Sequence, residues 1–156
     1  MLNLRSITSV IVLGALQTAL FLGCAETASE SPTAKAVPAT DVGRMQAWTD
    51  AERVTALGEG RMTVIGAGKS MEPVYGEGTV LILIKTDFAD LKPGMQVAYM
   101  NDDGRQVVHV LVSYDVAGRG WKVRGLNNEV EDRARVTASN LVGVVYASFA
   151  PGEGLR

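Results

Sequence analysis

The sequence predicts a mainly β domain, a barrel or a folded sheet, preceded by one short helix. Three observations carry that reading. After residue 60, short runs rich in Val, Ile, Leu and Tyr alternate with turns built on Gly, Pro, Asn and Asp. Before them, residues 44–57 place apolar side chains at helical spacing. A glycine-rich bend at 66–78 then leads directly into the most apolar run of the chain, Val80, Leu81, Ile82, Leu83 and Ile84.

Composition narrows the function classes. The chain has 156 residues, a length that suits one domain with extensions. A net charge of −2 offers no basic face to a phosphate backbone, which argues against a nucleic-acid partner. One cysteine excludes an internal disulfide framework, and one histidine beside it leaves no cluster for structural zinc. No Asp-x-Asp spacing suggests a carboxylate metal site, so neither a metal nor a cofactor is expected.

Residues 1–23 are expected to be an export signal. Arg5 supplies the positive start, residues 7–22 hold no charge, and Gly23 is the small residue before Cys24. A lone cysteine after that glycine is similar to a bacterial lipoprotein signal, in which Cys24 is lipidated and becomes the mature N-terminus. Phe21 stands where such signals usually carry an aliphatic residue. The alternative is an uncleaved anchor, a little short of the ~20 residues that span a bilayer. Both readings put the rest of the chain outside the cytoplasm, on the periplasmic or extracytoplasmic face of a membrane. Residues 24–43, rich in Ala, Ser, Thr, Pro and Glu, bury too little apolar surface to offset their ordering entropy and read as a flexible linker. The domain is expected over 44–156.

In the helix at 44–57, Met45, Trp48, Val54 and Leu57 are the expected buried face, against the domain or a membrane surface, and Gly58 ends the run. Strands follow at 62–65, 79–85, 95–100, 106–114, 121–125 and 141–149. Pro93-Gly94 suits a type II turn, and Asn101-Asp102-Asp103-Gly104 a hairpin turn whose aspartates are turn formers rather than catalysts. A Gly-Arg-Gly turn occupies 118–120, a polar loop 126–139, and the last six residues read as a frayed tail.

Three stretches hold candidate chemistry. Gly66-Ala67-Gly68-Lys69-Ser70-Met71-Glu72-Pro73 breaks a strand sharply and presents one hydroxyl, Ser70, at the bend. The plainer alternative is a β-turn with an incidental serine. His109 lies in an apolar strand, where an unpaired ring would cost on the order of 1–3 kcal/mol, so it needs a partner; a backbone carbonyl would suffice. The loop after residue 124 carries three carboxylates, Glu129, Glu131 and Asp132, and reads equally as a solvated turn.

Taken together these stretches resemble the conserved boxes of type I signal peptidases and the related repressor-type self-cleaving proteases, the S24–S26 serine peptidases. Gly68-Lys69-Ser70-Met71-Glu72-Pro73 is similar to their Ser-Met-x-Pro box, and Leu91-Lys92-Pro93-Gly94-Met95-Gln96-Val97 to the Pro-Gly-Asp-Val turn. Val107-Val108-His109-Val110 resembles the strand that delivers the general base, with histidine where most bacterial members have lysine. Gly125-Leu126-Asn127-Asn128 through Asp132-Arg133 resembles the Gly-Asp-Asn-Asn … Asp-Asp-Arg box, and Leu141-Val142-Gly143-Val144-Val145 the closing strand. The boxes arrive in family order over roughly residues 62–147.

The resemblance implies a membrane-tethered serine endopeptidase acting on a polypeptide, with preproteins as candidate substrates. Ser70 matches the nucleophile, His109 the general base and Asp132 the acid that orients it. The Ser70 N–H would serve the oxyanion, and Met71 would border a pocket for a small residue before the cut. The residue chemistry agrees: imidazole titrates near neutral pH, can accept a serine proton, and is held in one tautomer by a carboxylate. Gly68 stands where signal peptidases often carry a hydroxyl that completes the oxyanion hole, and Leu126 replaces an aspartate. Those two differences favour an alternative from another class, a catalytically inactive lipoprotein that uses the same fold as a binding or structural module.

Overall fold

The computed structural model describes residues 40–152. The expected signal at 1–23, Cys24 and the linker through residue 39 lie outside the described residues, as do residues 153–156. Among the described residues no helix is long and apolar enough to cross a membrane.

Among the described residues the domain is a six-stranded, wholly antiparallel sheet with one α-helix and a short 3-10 helix, Phe88–Asp90. Its elements are α1 (Arg44–Thr55), β1 (Arg61–Ile65), β2 (Val80–Ile84), β3 (Gln96–Met100), β4 (Gln106–Asp115), β5 (Gly120–Arg124) and β6 (Leu141–Phe149). Every strand expected from the sequence forms, with ends displaced by about one residue at most. The spatial order is β1-β2-β6-β3-β4-β5, so the last strand enters the middle of the sheet, between β2 and β3. β1 and β5 are the two edges and do not pair with each other; of the two expected architectures, the chain adopts the folded sheet and not the closed barrel.

Register irregularities fall at Ile82/Leu83, Ala98/Tyr99 and Leu111/Ser113. An extra residue in one strand bends it and increases its twist. The curled sheet buries two sets of side chains because successive residues of a strand point to opposite faces. On one face Val97, Tyr99, Leu111, Trp121, Val123 and Val136 form a core with Leu91. On the other, Leu81 packs with Met71 and Tyr75 of the bend, against Val64, Val108, Val110 and Val145. His109 is paired with Val97 and lies between Val108 and Val110, so it shares the first face with Tyr99 and Leu111.

The helix corrects one expectation. Met45 and Leu57 are 77 % and 80 % exposed, and the buried residues are Ala47 and Ala51. These alanines are four apart on one face, with Trp48 and Val54 flanking them, and they meet Val80, Ile82, Ala147 and Phe149. A methyl-sized contact lets the helix axis lie close to the sheet, which longer side chains at the same positions would prevent. The helix covers β2, β1 and β6, so its partner is the domain.

The segment before the helix is tied to the chain's other end. Thr40 Oγ1 donates to the Ala150 carbonyl at 2.8 Å, and the Gly152 N–H donates to the Val42 carbonyl at 2.8 Å. Pro151 and Gly152 are therefore half-buried rather than frayed. The turns behave as their residues dictate. Gly94 takes φ +87° after Pro93, and Gly104 takes φ +71° while Asn101 Oδ1 accepts from the N–H groups of Asp103 and Arg105. In the turn at 118–120, Arg119 and not a glycine holds the left-handed angle, φ 49°.

The polar loop at 126–139 does not stand off in solvent. It returns along the outer edge of β5: Trp121 and Val136 exchange both backbone hydrogen bonds, at 2.8 and 3.0 Å, and the Asp132 N–H donates to the Val123 carbonyl at 2.8 Å. Gly120 makes that approach possible, since a side-chain carbon there would lie 2.8 Å from the Val136 carbonyl oxygen.

Candidate functional site

The bend that carries Ser70 is built by backbone bonds at its neck. The Gly66 N–H donates to the Thr79 carbonyl at 2.7 Å and the Gly78 N–H to the Gly66 carbonyl at 2.9 Å, so the chain leaves β1 and re-enters β2 through one closed loop. Gly68 sits at φ +82° with open space where a side chain would be. Ser70 and Met71 begin a tight turn, in which the Met71 carbonyl accepts from the N–H groups of Val74 and Tyr75. Met71 is buried among Leu81 and its neighbours, which anchors the turn and leaves Ser70 half-exposed beside it.

The loop after β5 clasps the bend. Asn127 donates its backbone N–H to the Ser70 carbonyl at 2.8 Å and its side-chain amide to the Lys69 carbonyl at 3.2 Å. Gly125 allows the approach: a β-carbon there would stand 2.6 Å from the Ser70 carbonyl oxygen.

His109 has the partner that its burial demands, and the partner is a carboxylate. Its Nδ1 lies 2.5 Å from Asp132 Oδ2, with the imidazole side chain 8 % exposed and the carboxylate 18 %. Tyr99 donates its hydroxyl to the same oxygen of Asp132. Burial, and then the Asp132 hydrogen bond and charge, push the Tyr99 phenol far above its ordinary range, so it remains a donor. The Asp132 backbone is held by Val123, as above, and by Arg135, whose Nη1 donates to the Asp132 carbonyl at 3.0 Å. Arg135 Nε also donates to Asp115 Oδ2 at 3.3 Å. The Gly118 N–H and then Arg135 hold the Asp115 carboxyl below its usual range.

Ser70 and His109 line one cavity of about 520 Å³. Gly68 and Met71, the other two residues singled out in the bend, line it as well, with Ile65 at the end of β1, Tyr75 and Asn128. Nδ1 faces Asp132, which leaves Nε2 as the ring nitrogen available to the cavity. Among the described residues no hydrogen bond joins Ser70 Oγ to the imidazole, and the Ser70 N–H has no acceptor. Ser70 and the imidazole held by Asp132 thus border one concave space.

All three residues named as catalytic from the sequence therefore belong to one region: Asp132 bonds His109, and His109 shares the cavity wall with Ser70. Two residues escaped the sequence reading. Tyr99 became visible only through register, because the Asn101–Gly104 hairpin sets Val97 opposite His109 and Tyr99 opposite Val107 on the same face. Asn128 belongs in the sequence to a polar box without a task of its own, and in the fold it lies on the cavity wall. No family model matches the chain, and no curated protein is found similar to it.

Proposed function

We propose that the protein is a membrane-tethered serine endopeptidase related to type I signal peptidases, with Ser70 as nucleophile, His109 as general base and Asp132 as its orienting acid. The observation that carries the reading is the pairing of a buried imidazole, bonded through Nδ1 to a carboxylate, with a serine on the same cavity wall.

In this reading Ser70 Oγ attacks the substrate carbonyl while His109 Nε2 takes its proton. Asp132 stabilises the imidazolium without itself taking the proton. The Ser70 N–H donates to the oxyanion, and collapse of the tetrahedral intermediate expels the amine, which receives the proton from Nε2. Water repeats the sequence to release the acyl group. A polypeptide would lie extended along the exposed edge of β1, whose last residue, Ile65, borders the cavity. Lipidated Cys24, or an uncleaved N-terminal anchor, would hold the domain at the outer face of the membrane.

A second reading, an inactive lipoprotein with a binding or structural role, is favoured by Gly68. It offers no hydroxyl to the oxyanion, and one missing donor of that kind can cost about 10²–10³ in rate. Incubating the purified protein with a panel of preprotein peptides separates the two. Cleavage that depends on Ser70 supports the enzyme, and its absence across the panel supports the module.

A further inference from the structure

We propose that Tyr99 is a positioning residue of this site: its phenol holds Asp132 Oδ2 against His109 Nδ1, which fixes the imidazole in the Nδ1–H tautomer and frees Nε2. The role in turnover rests on the peptidase reading, whereas the effect on the imidazole does not. Two groups, the Tyr99 hydroxyl and His109 Nδ1, converge on one oxygen of Asp132. The backbone of Asp132 is fixed by Val123 and Arg135, but the carboxylate torsion of an aspartate is broad and is set by what its oxygens meet. The phenol supplies that restraint from a rigid place. Tyr99 is 1 % exposed in β3, a strand paired on both sides, by β6 and by β4.

The hydroxyl matters more than the ring. A buried phenol costs free energy unless it finds a partner; among the described residues the buried Tyr75 hydroxyl has none, whereas the Tyr99 hydroxyl has one. Here the partner is the one carboxylate that also holds the histidine.

The chain has a single histidine, so nitrogen-15 imidazole resonances of the full-length protein report His109 alone. Spectra are compared for Ser70→Ala and for Ser70→Ala with Tyr99→Phe; the Ser70 change keeps the readout independent of turnover. The proposal predicts one neutral tautomer, Nδ1–H, in the first protein. In the second, the two nitrogen resonances should move toward each other as the tautomers mix. If Tyr99→Phe fails to fold, 3,5-difluorotyrosine at position 99 keeps the volume and the hydroxyl. As a stronger donor it should shift the Nδ1–H proton resonance. In the Ser70 protein, Tyr99→Phe should lower kcat roughly tenfold with KM unchanged, a fraction of the 10²–10⁴ typical of acid–base catalysis. An unchanged tautomer in folded Tyr99→Phe, or an unmoved proton resonance with the fluorinated residue, overturns the proposal. A tautomer change in a protein that cleaves no peptide supports the positioning role and removes the peptidase reading; unchanged tautomers in a working peptidase do the reverse.

Discussion

Asn127 donates its backbone N–H to the Ser70 carbonyl at 2.8 Å and, with its side-chain bond to the Lys69 carbonyl, ties the bend holding the hydroxyl to the loop holding Asp132. Ser70 and Asp132 belong to segments far apart in the chain. Their relative placement depends on how closely those segments approach, and glycine at 125 sets the approach.

Gly125→Ala tests the clasp. Its β-carbon would stand 2.6 Å from the Ser70 carbonyl oxygen and 2.8 Å from Asn128 Nδ2. One neighbour is backbone and cannot swing aside, so the two segments must separate. Overpacking of this kind costs about 1–3 kcal/mol. Urea unfolding should register that loss, and peptide cleavage should fall with it, since Ser70 is displaced.

Asp132→Asn tests the orienting carboxylate. An amide keeps the shape but can turn its NH₂ toward Nδ1, which would then have to accept and leave the proton on Nε2. The expected loss in kcat is about 10³–10⁴-fold, with little change in the urea midpoint. Circular dichroism of the two proteins should superimpose. A variant that cleaves as fast as its parent would remove Asp132 from the site.

Asp115 should make the domain acid-sensitive through the loop that carries Asp132. Its folded pKa is depressed below the ordinary 3.8 by the Gly118 N–H and by Arg135. Its stabilising contribution is therefore complete above that ordinary value and is lost as pH falls through the lower folded one. Asp115→Asn should be less stable than its parent at pH 7, and the gap should narrow below about pH 4. Denaturant midpoints at pH 7 and pH 3 measure both; a gap that widens in acid would reverse the assignment.

The helix offers a packing test. Ala51→Leu should destabilise the domain by about 1–3 kcal/mol, because Ala51 is fully buried against the sheet. Met45→Ser and Leu57→Ser should each stay within roughly 0.5 kcal/mol of the parent, since both side chains are exposed. Thermal unfolding distinguishes the three.

Local pattern carried the strands and the turns because a period of two and a Pro-Gly or Asp-Gly pair are properties of neighbouring residues. The helix was legible as a helix but not its face: Met45 and Leu57 look like core by hydrophobicity, and Ala47 and Ala51 win by size. The insertion of β6 between β2 and β3 is a long-range pairing that no local signal encodes. For the same reason the loop at 126–139 read as solvated, although Asp132 and Val136 bond back to β5. In the sequence, Ser70, His109 and Asp132 are linked only through a resemblance in the order of the boxes. Tyr99 belongs to no box, and it needed the hairpin register to come within reach of Asp132.

Cleavage of a preprotein peptide panel by the protein, by Ser70→Ala and by His109→Ala tests the central claim most directly. The account predicts that the parent cuts at least one peptide after a small residue and that each substitution lowers kcat by about 10³-fold or more. Cleavage that survives both substitutions unchanged would contradict it.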